Sequence, residues 1–137
     1  MNKPKVIVFS TAYLPLTGGS EIAIREISQR LRDDFDFVVI TARLKKNLPK
    51  REINDGIEIV RLGLGYDFDK FILPVLGFFK ARRYLKNPKC IIWGMDISTG
   101  SLAAALVKLF YKKILFVFTI QYGYGEKRIK HGRGGLI

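Results

Sequence analysis

"KVIVFSTAYLPLTGGSEIAIREISQRL", residues 5–31, contains an apolar run, a loop with two adjacent glycines and an amphipathic segment. The predicted strand at 5–10 has branched and aromatic residues at 6–9 without polar alternation, which is typical of a strand covered on both faces of a sheet. After Ser20, which we expect to be the helix N-cap, apolar residues recur at helical spacing from Ala23 to Leu31. The stretch therefore predicts a buried strand, a glycine loop and a helix.

Strands and helices continue to alternate along the chain. We predict further strands at 35–42, 56–63, 90–93 and 114–120, and helices at 70–86 and 98–111. Pro74 and Gly77 are expected to kink the first of these helices or break it into two. The alternation predicts an α/β, Rossmann-like parallel sheet with helices on both faces, in which the first and fourth strands are adjacent and the chain direction reverses between them.

Ligands of such sheets bind at the carboxyl ends of the strands beside this reversal. The loops at 11–20, 94–99 and 121–126 meet that description. We therefore expect a binding cleft where these three loops converge.

Composition limits the kind of protein. The 137 residues are predicted to form a single domain, 1–137. Cys90 has no partner for an internal disulfide, which favours a reduced, cytoplasmic setting, and the single histidine, His131, makes a protein-built zinc site improbable. No apolar run reaches the length that a membrane-spanning helix needs. The formal net charge of +12 implies an anionic partner but does not identify it.

Gly18 and Gly19 fit neither of the two best-known phosphate motifs, because the loop lacks G-x-G-x-x-G spacing and has no lysine and hydroxyl after its last glycine. Two interpretations remain open from the residues alone. The pair could let backbone amides at a helix N-terminus approach an anion, or it could only permit positive φ in a tight loop.

The segment "FSTAYLPLTGGSEIAIREISQRL" resembles the opening of GT-B-type glycosyltransferases of family 4, which typically has a strand, a P-x-x-G-G-x-E loop and a helix. "CIIWGMDISTGSLAAALVKLF" and "ILFVFTIQYGYGEKRI" are similar to that family's fourth strand, following helix and fifth strand. The resemblance implies the N-terminal, acceptor-side half of a two-domain enzyme. Such an enzyme would transfer a sugar from a nucleotide diphosphate sugar to a glycan or lipid-linked acceptor with retention, and without a metal or other cofactor.

The resemblance also implies site residues in the first loop. Gly18 and Gly19 would lie against the donor diphosphate. Glu21 matches the motif's glutamate and would contact a sugar or acceptor, although a solvated acid in the first turn of a helix explains it equally well.

The other two loops supply further candidates. Many relatives place a histidine at about the position of Asp96, and this sequence has none there. Asp96 would take over the hydrogen bond to a sugar hydroxyl. We favour a simpler role, in which Asp96 or Ser98 caps the next helix. In the third loop the candidates for contact with a sugar or acceptor are Gln121, Gly123 and Glu126. An ordinary loop would also explain them.

A basic segment follows the apolar run at 71–79 and contains Lys80, Arg82, Arg83 and Lys86. It could contact an anionic membrane, which would place the protein in the cytoplasm with peripheral attachment at the inner face. A helix with a solvated basic face is the favoured explanation. Nucleic-acid binding is the other interpretation of the charge, but it is disfavoured because the tail carries a lone R-G-G and no recognised binding motif is present.

The resemblance stops soon after the fifth strand. We therefore expect a C-terminally incomplete domain with a flexible tail at 127–137, an open sheet edge, and marginal stability or dependence on a partner. The chain alone is expected to be inactive without a donor-binding domain or partner chain. The alternative is a non-catalytic binding or regulatory subunit with the same fold.

Overall fold

The computed structural model describes residues 3–15, 18–86 and 89–120. In chain order its elements are β1 (Lys5–Phe9), α1 (Gly19–Arg30), β2 (Asp36–Ala42), β3 (Arg51–Asn54), β4 (Ile57–Leu62), α2 (Asp69–Ala81), β5 (Cys90–Met95), α3 (Thr99–Phe110) and β6 (Leu115–Thr119). They form one sheet in the order β3-β4-β2-β1-β5-β6, in which every pair is parallel except β3 with β4. The predicted Rossmann-like α/β fold is confirmed.

Strand β1 lies at the reversal of chain direction. Lys5 pairs with Asp36 of β2 on one side and with Cys90 of β5 on the other. The predicted adjacency of the first strand and the strand at Cys90 is therefore confirmed. Because Ile7 and Phe9 are wholly buried, β1 also forms the centre of the core.

Helices cover both faces of the sheet, as predicted. Leu73 of α2 and Val107 of α3 join the core on one face with Ile7 and Phe9, whereas Ile24 of α1 packs on the other face. A Cβ added at Gly77 would lie 3.1 Å from the Cβ of Ala103. This small residue therefore lets α2 approach α3 closely.

Three local predictions were wrong. Strand β3 was not foreseen, because in the sequence "REIN" only Ile53 is apolar and it is exposed in the structure. Helix α1 begins at Gly19 with Gly18 as its N-cap, so Ser20 is not the cap. Helix α2 runs unbroken through Pro74 and Gly77, so of the expected kink or break the break is absent, and it ends at Ala81 and not at the predicted residue 86.

Strand β6 forms one edge of the described sheet, as expected for an open edge. Its side chains are poorly covered, and Leu115 keeps 62% of its surface exposed. The outer side of α3 is also apolar and exposed at Leu102, Leu109 and Phe110.

Candidate functional site

The candidate site lies at the edge of the sheet where the parallel strands end. The loops after β1, β2, β4 and β5 all reach this carboxyl edge. Backbone bonds tie them together, since the amide of Ala42 donates to the carbonyl of Thr11 at 3.2 Å and the amide of Asp96 donates to that of Thr119 at 2.8 Å. Side-chain contacts bring the described parts of the first two predicted loops, 11–20 and 94–99, to one place, since Ser20 bonds Asp96 and the hydroxyl oxygens of Thr11 and Thr99 lie 2.9 Å apart.

The two glycines lie at the start of α1. Gly18 has a φ of −144°, which is ordinary extended backbone, and Gly19 is the first helical residue. Among the described glycines, positive φ occurs at Gly56, Gly63 and Gly65. The explanation of the Gly18–Gly19 pair as a positive-φ turn is therefore wrong.

What a side chain would meet at these glycines differs between them. A Cβ added at Gly19 would meet none of the described residues within 4 Å, whereas one added at Gly18 would lie 2.6 Å from Oε2 of Glu21. The carboxylate of Glu21 thus folds back over the N-cap, where the amide donors and the positive end of the helix dipole attract an anion. Among the residues that the structure describes, the space beside Gly19 is open.

Asp96 joins the β5 loop to the β1 loop. Its carboxylate accepts a hydrogen bond from the hydroxyl of Ser20 in the first turn of α1, and its backbone has a positive φ of 59°. Asp96 does not cap the following helix. Ser98 does, since its hydroxyl oxygen accepts from the amide of Ser101 at 3.3 Å.

The start of α3 packs tightly against the end of β1. The hydroxyl oxygen of Thr11 lies 2.9 Å from that of Thr99 and accepts from the amide of Gly100 at 3.2 Å. A Cβ added at Gly100 would lie 2.7 Å from the carbonyl carbon of Ser10. Gly100 is therefore required for this approach, which fixes the β1 loop relative to α3.

Arg61, on β4, binds the backbone of the loop after β1. Although its side chain is only 1% exposed, its guanidinium donates to the carbonyls of Leu14 at 2.6 Å and Pro49 at 3.1 Å, and to Oε1 of Glu52 at 2.8 Å. Sequence reasoning missed Arg61. The available signal was an arginine at an inward position of the apolar run at 56–63.

Tyr13 anchors the same loop. Its ring is buried in the core beside Ile24. Burial raises the pKa of the Tyr13 hydroxyl to about 12; the charge of Arg25 opposes this shift and that of Asp55 adds to it. The loop is thus attached to the core through a neutral phenol.

A buried carboxylate organises the loop after β4. Asp69 is fully buried, and its oxygens accept from the amides of Leu64 at 3.1 Å, Gly65 at 2.7 Å and Tyr66 at 3.1 Å. Burial by itself would raise the pKa of Asp69, but backbone donors outweigh it and the pKa is lowered. The loop at 63–68 therefore has a defined shape.

The remaining candidates fall into two groups. Gln121, Gly123, Glu126 and the expected tail at 127–137 lie outside the described residues. The basic residues Lys80, Arg82, Arg83 and Lys86 lie at or just beyond the C-terminal end of α2, which is at the opposite edge of the sheet.

Across 3–15, 18–86 and 89–120, no three His, Cys, Asp or Glu side chains come together in a way that could hold a metal ion. In the same part of the chain, no helix combines the length and apolar character needed to cross a membrane.

Comparisons with known proteins bear on the fold. No protein-family model and no curated protein matches the sequence. Among solved structures, a sucrose-phosphate synthase from Thermosynechococcus elongatus superimposes with a TM-score of 0.59. The chain shares its fold with a part of that enzyme. The match covers 94% of this chain and 35% of the enzyme, at 14% sequence identity.

Proposed function

We propose that this chain is the acceptor-side domain of a GT-B-type glycosyltransferase. The intact enzyme would transfer a sugar from a nucleotide diphosphate sugar to a hydroxyl of a glycan or lipid-linked acceptor, with retention and without a metal. The observation that carries the proposal is the open space at Gly19, next to the Ser20–Asp96 contact, at the point where the sheet reverses.

The geometry supports a division of roles at this edge. A diphosphate above Gly18 and Gly19 would meet the amide donors of the first turn of α1 and the positive end of its dipole. Asp96, already held by Ser20, would accept a hydrogen bond from a sugar hydroxyl. The amide donors of α1 would stabilise charge on the departing diphosphate, which is the usual contribution of such groups to a transfer reaction.

Glu21 fits a sugar contact better than a phosphate contact. Its carboxylate lies over Gly18, where it would repel a diphosphate bound at the same N-terminus. We therefore expect Glu21 to turn away when the donor binds and to bond a sugar hydroxyl. Gln121, Gly123 and Glu126 are proposed for acceptor or sugar contact on the resemblance alone.

Donor binding can be tested on the full chain by ¹H–¹⁵N NMR with UDP-glucose and GDP-mannose as probes. We expect weak binding that shifts the amides of Gly19, Ser20 and Asp96, and that is lost in Gly19→Val because the new side chain fills the open space. Ala105→Val is the control, since it introduces the same β-branched side chain at an exposed position on α3. Shifts that persist in Gly19→Val would contradict the proposed site.

The proposal also needs a second domain. The DNA that follows the codon for Ile137 is the first place to look, either for an in-frame continuation or for an adjacent frame encoding a Rossmann-like domain with paired glutamates. If neither exists, a non-catalytic binding or regulatory subunit becomes the better explanation. Salt-dependent RNA binding that survives Gly18→Val and Gly19→Val would instead favour a nucleic-acid-binding module.

A second proposal concerns an anionic membrane. The outer side of α2 exposes Phe71, Val75 and Phe79. A concavity of about 400 Å³ beyond its end is lined by Arg82, Arg83 and Lys86, among others. Exposed apolar side chains next to cations suit the headgroup region of an anionic bilayer, which would give peripheral attachment.

Flotation with phosphatidylglycerol vesicles at low salt tests this attachment. We expect the triple variant Arg82→Gln, Arg83→Gln, Lys86→Gln to leave the lipid fraction. The matched control changes the same number of exposed cations around α1, Arg25→Gln, Arg30→Gln and Arg32→Gln, and should still float. If both triple variants leave the lipid fraction equally, net charge alone explains the binding and the proposed membrane surface on α2 is contradicted.

A further inference from the structure

The loop after β4 presents two stacked aromatic rings at the carboxyl edge. The ring centroids of Tyr66 and Phe68 are 5.8 Å apart with an interplanar angle of 17°. Tyr66 is 45% and Phe68 47% exposed. Exposed aromatic surface on a loop of defined shape is a feature of binding sites, because such side chains lose little entropy when they take up a ligand.

The loop is held rigidly beneath these rings. The carboxylate of Asp69 accepts from three consecutive amides, those of Leu64, Gly65 and Tyr66. Gly65, with a φ of +97°, leaves no room for a side chain, since an added Cβ would lie 2.7 Å from the Cα of Lys46. The loops after β2 and β4 therefore pack as one unit.

Lys46 adds a cation to the aromatic pair. Its ammonium group lies 4.5 Å from the ring centroid of Tyr66, a distance at which the ring attracts it. The rings with their lysine offer an apolar surface beside three N–H donors. That combination matches a sugar ring, which has an apolar C–H face and a polar rim, and it favours a sugar with a carboxylate.

From these observations we propose that Tyr66, Phe68 and Lys46 form a subsite for an acidic saccharide, a uronate-containing glycan acceptor. The assignment of the saccharide as acceptor rests on the proposed glycosyltransferase function. Strand β4 is two positions from β1 in the sheet, so the subsite lies roughly 10 Å from the β1 loop at the usual strand spacing. An acceptor of two or more sugar units would span that distance.

NMR titration of the full chain with a hyaluronan tetrasaccharide, which contains glucuronate, tests the subsite directly. We expect shifts at the amides of Gly65, Tyr66 and Phe68, and a loss of affinity of about fivefold or more in Phe68→Ala and in Phe68→Leu, which keeps apolar area but lacks the ring. Phe110→Ala is the matched control, because it removes an exposed phenylalanine from the C-terminal end of α3, and it should bind normally.

Maltotetraose, a neutral tetrasaccharide, separates the roles of ring and charge. Lys46→Gln should weaken the uronate probe and leave the neutral one unchanged. The proposal is overturned if neither saccharide shifts the loop, if Phe68→Leu binds as well as the native chain, or if UMP alone shifts the loop more strongly than the saccharides. Donor binding at Gly19 is read from different amides, so failure of the subsite and failure of the proposed function are distinguishable.

Discussion

The hydroxyl of Ser20, in the first turn of α1, donates a hydrogen bond to the carboxylate of Asp96, 76 residues further along the chain. The contact joins the two loops that border the reversal of the sheet. A hydrogen bond to a carboxylate contributes about 1.5–3 kcal/mol. We expect Ser20→Ala and Asp96→Asn each to lower the free energy of unfolding by about 1–2 kcal/mol.

A double-mutant cycle in urea checks that this loss comes from the contact itself. The variant with both changes should lose less stability than the two single losses added together, because the same bond is removed only once. Additive losses would show that Ser20 and Asp96 act independently.

Arg61 should contribute far more stability than an exposed arginine on the same sheet. Arg61→Ala would leave two carbonyls and Glu52 without their buried donor, at a cost of about 3 kcal/mol. Arg51 pairs with Glu58 at 2.8 Å, but its side chain is 67% exposed, so Arg51→Ala should change stability by less than about 1 kcal/mol. Equal losses on chemical denaturation would contradict the bracing role given to Arg61.

Substitution by alanine should affect stability differently at Gly100 and at Gly19. Gly100→Ala would push a methyl group into the backbone of Ser10, and we expect it to cost about 2 kcal/mol through displacement of α3. Gly19→Ala has open space and lies in the first turn of a helix, so stability should be unchanged or slightly higher. Thermal unfolding monitored by circular dichroism checks both, and a loss in Gly19→Ala would mean that this glycine has a structural role.

The sequence was sufficient for most of the fold because the apolar periodicity is strong. The predicted strands contain the continuous apolar stretches 6–9, 37–40 and 90–93, and each became part of an inner strand. β3 could not be predicted, since a short edge strand needs pairing with β4 and carries almost no apolar signal of its own. The start of α1 was misplaced because Ser20 bonds a distant carboxylate and leaves capping to Gly18.

The site was less predictable than the fold because its contacts are long-range. The loops at 11–20 and 94–99 followed from the topology rule for parallel sheets, but nothing local in the sequence pairs Ser20 with Asp96. Likewise, Asp69 reads as an ordinary first-turn acid of α2. Its role appears only when the amides of the preceding loop turn back toward its carboxylate.

Asp69 should make stability sensitive to acid. Its pKa in the folded protein lies below its usual 3.8, so its contribution is complete above that pH and is lost as the pH falls below 3.8. Asp69→Asn should remove this part of the acid dependence and, because the amide is a poorer acceptor for three N–H groups, cost about 2–3 kcal/mol at pH 7. Asp67→Asn, at an exposed position, should leave stability at pH 7 within about 0.5 kcal/mol.

Tyr13 should set part of the alkaline limit of stability. Its pKa is raised to about 12, chiefly by burial, so its contribution is complete below the ordinary value of 10 and is lost as the pH rises from 10 toward 12. Tyr84 behaves alike, because burial and its bond to Glu58 raise its pKa to about 12. Urea unfolding at several pH values measures the effect. Between pH 10 and 12, the free energy of unfolding of Tyr13→Phe should fall by on the order of 2 kcal/mol less than that of the native chain. An unchanged alkaline loss in Tyr13→Phe would mean that the buried phenol does not titrate with unfolding, and that the β1 loop is anchored by other contacts.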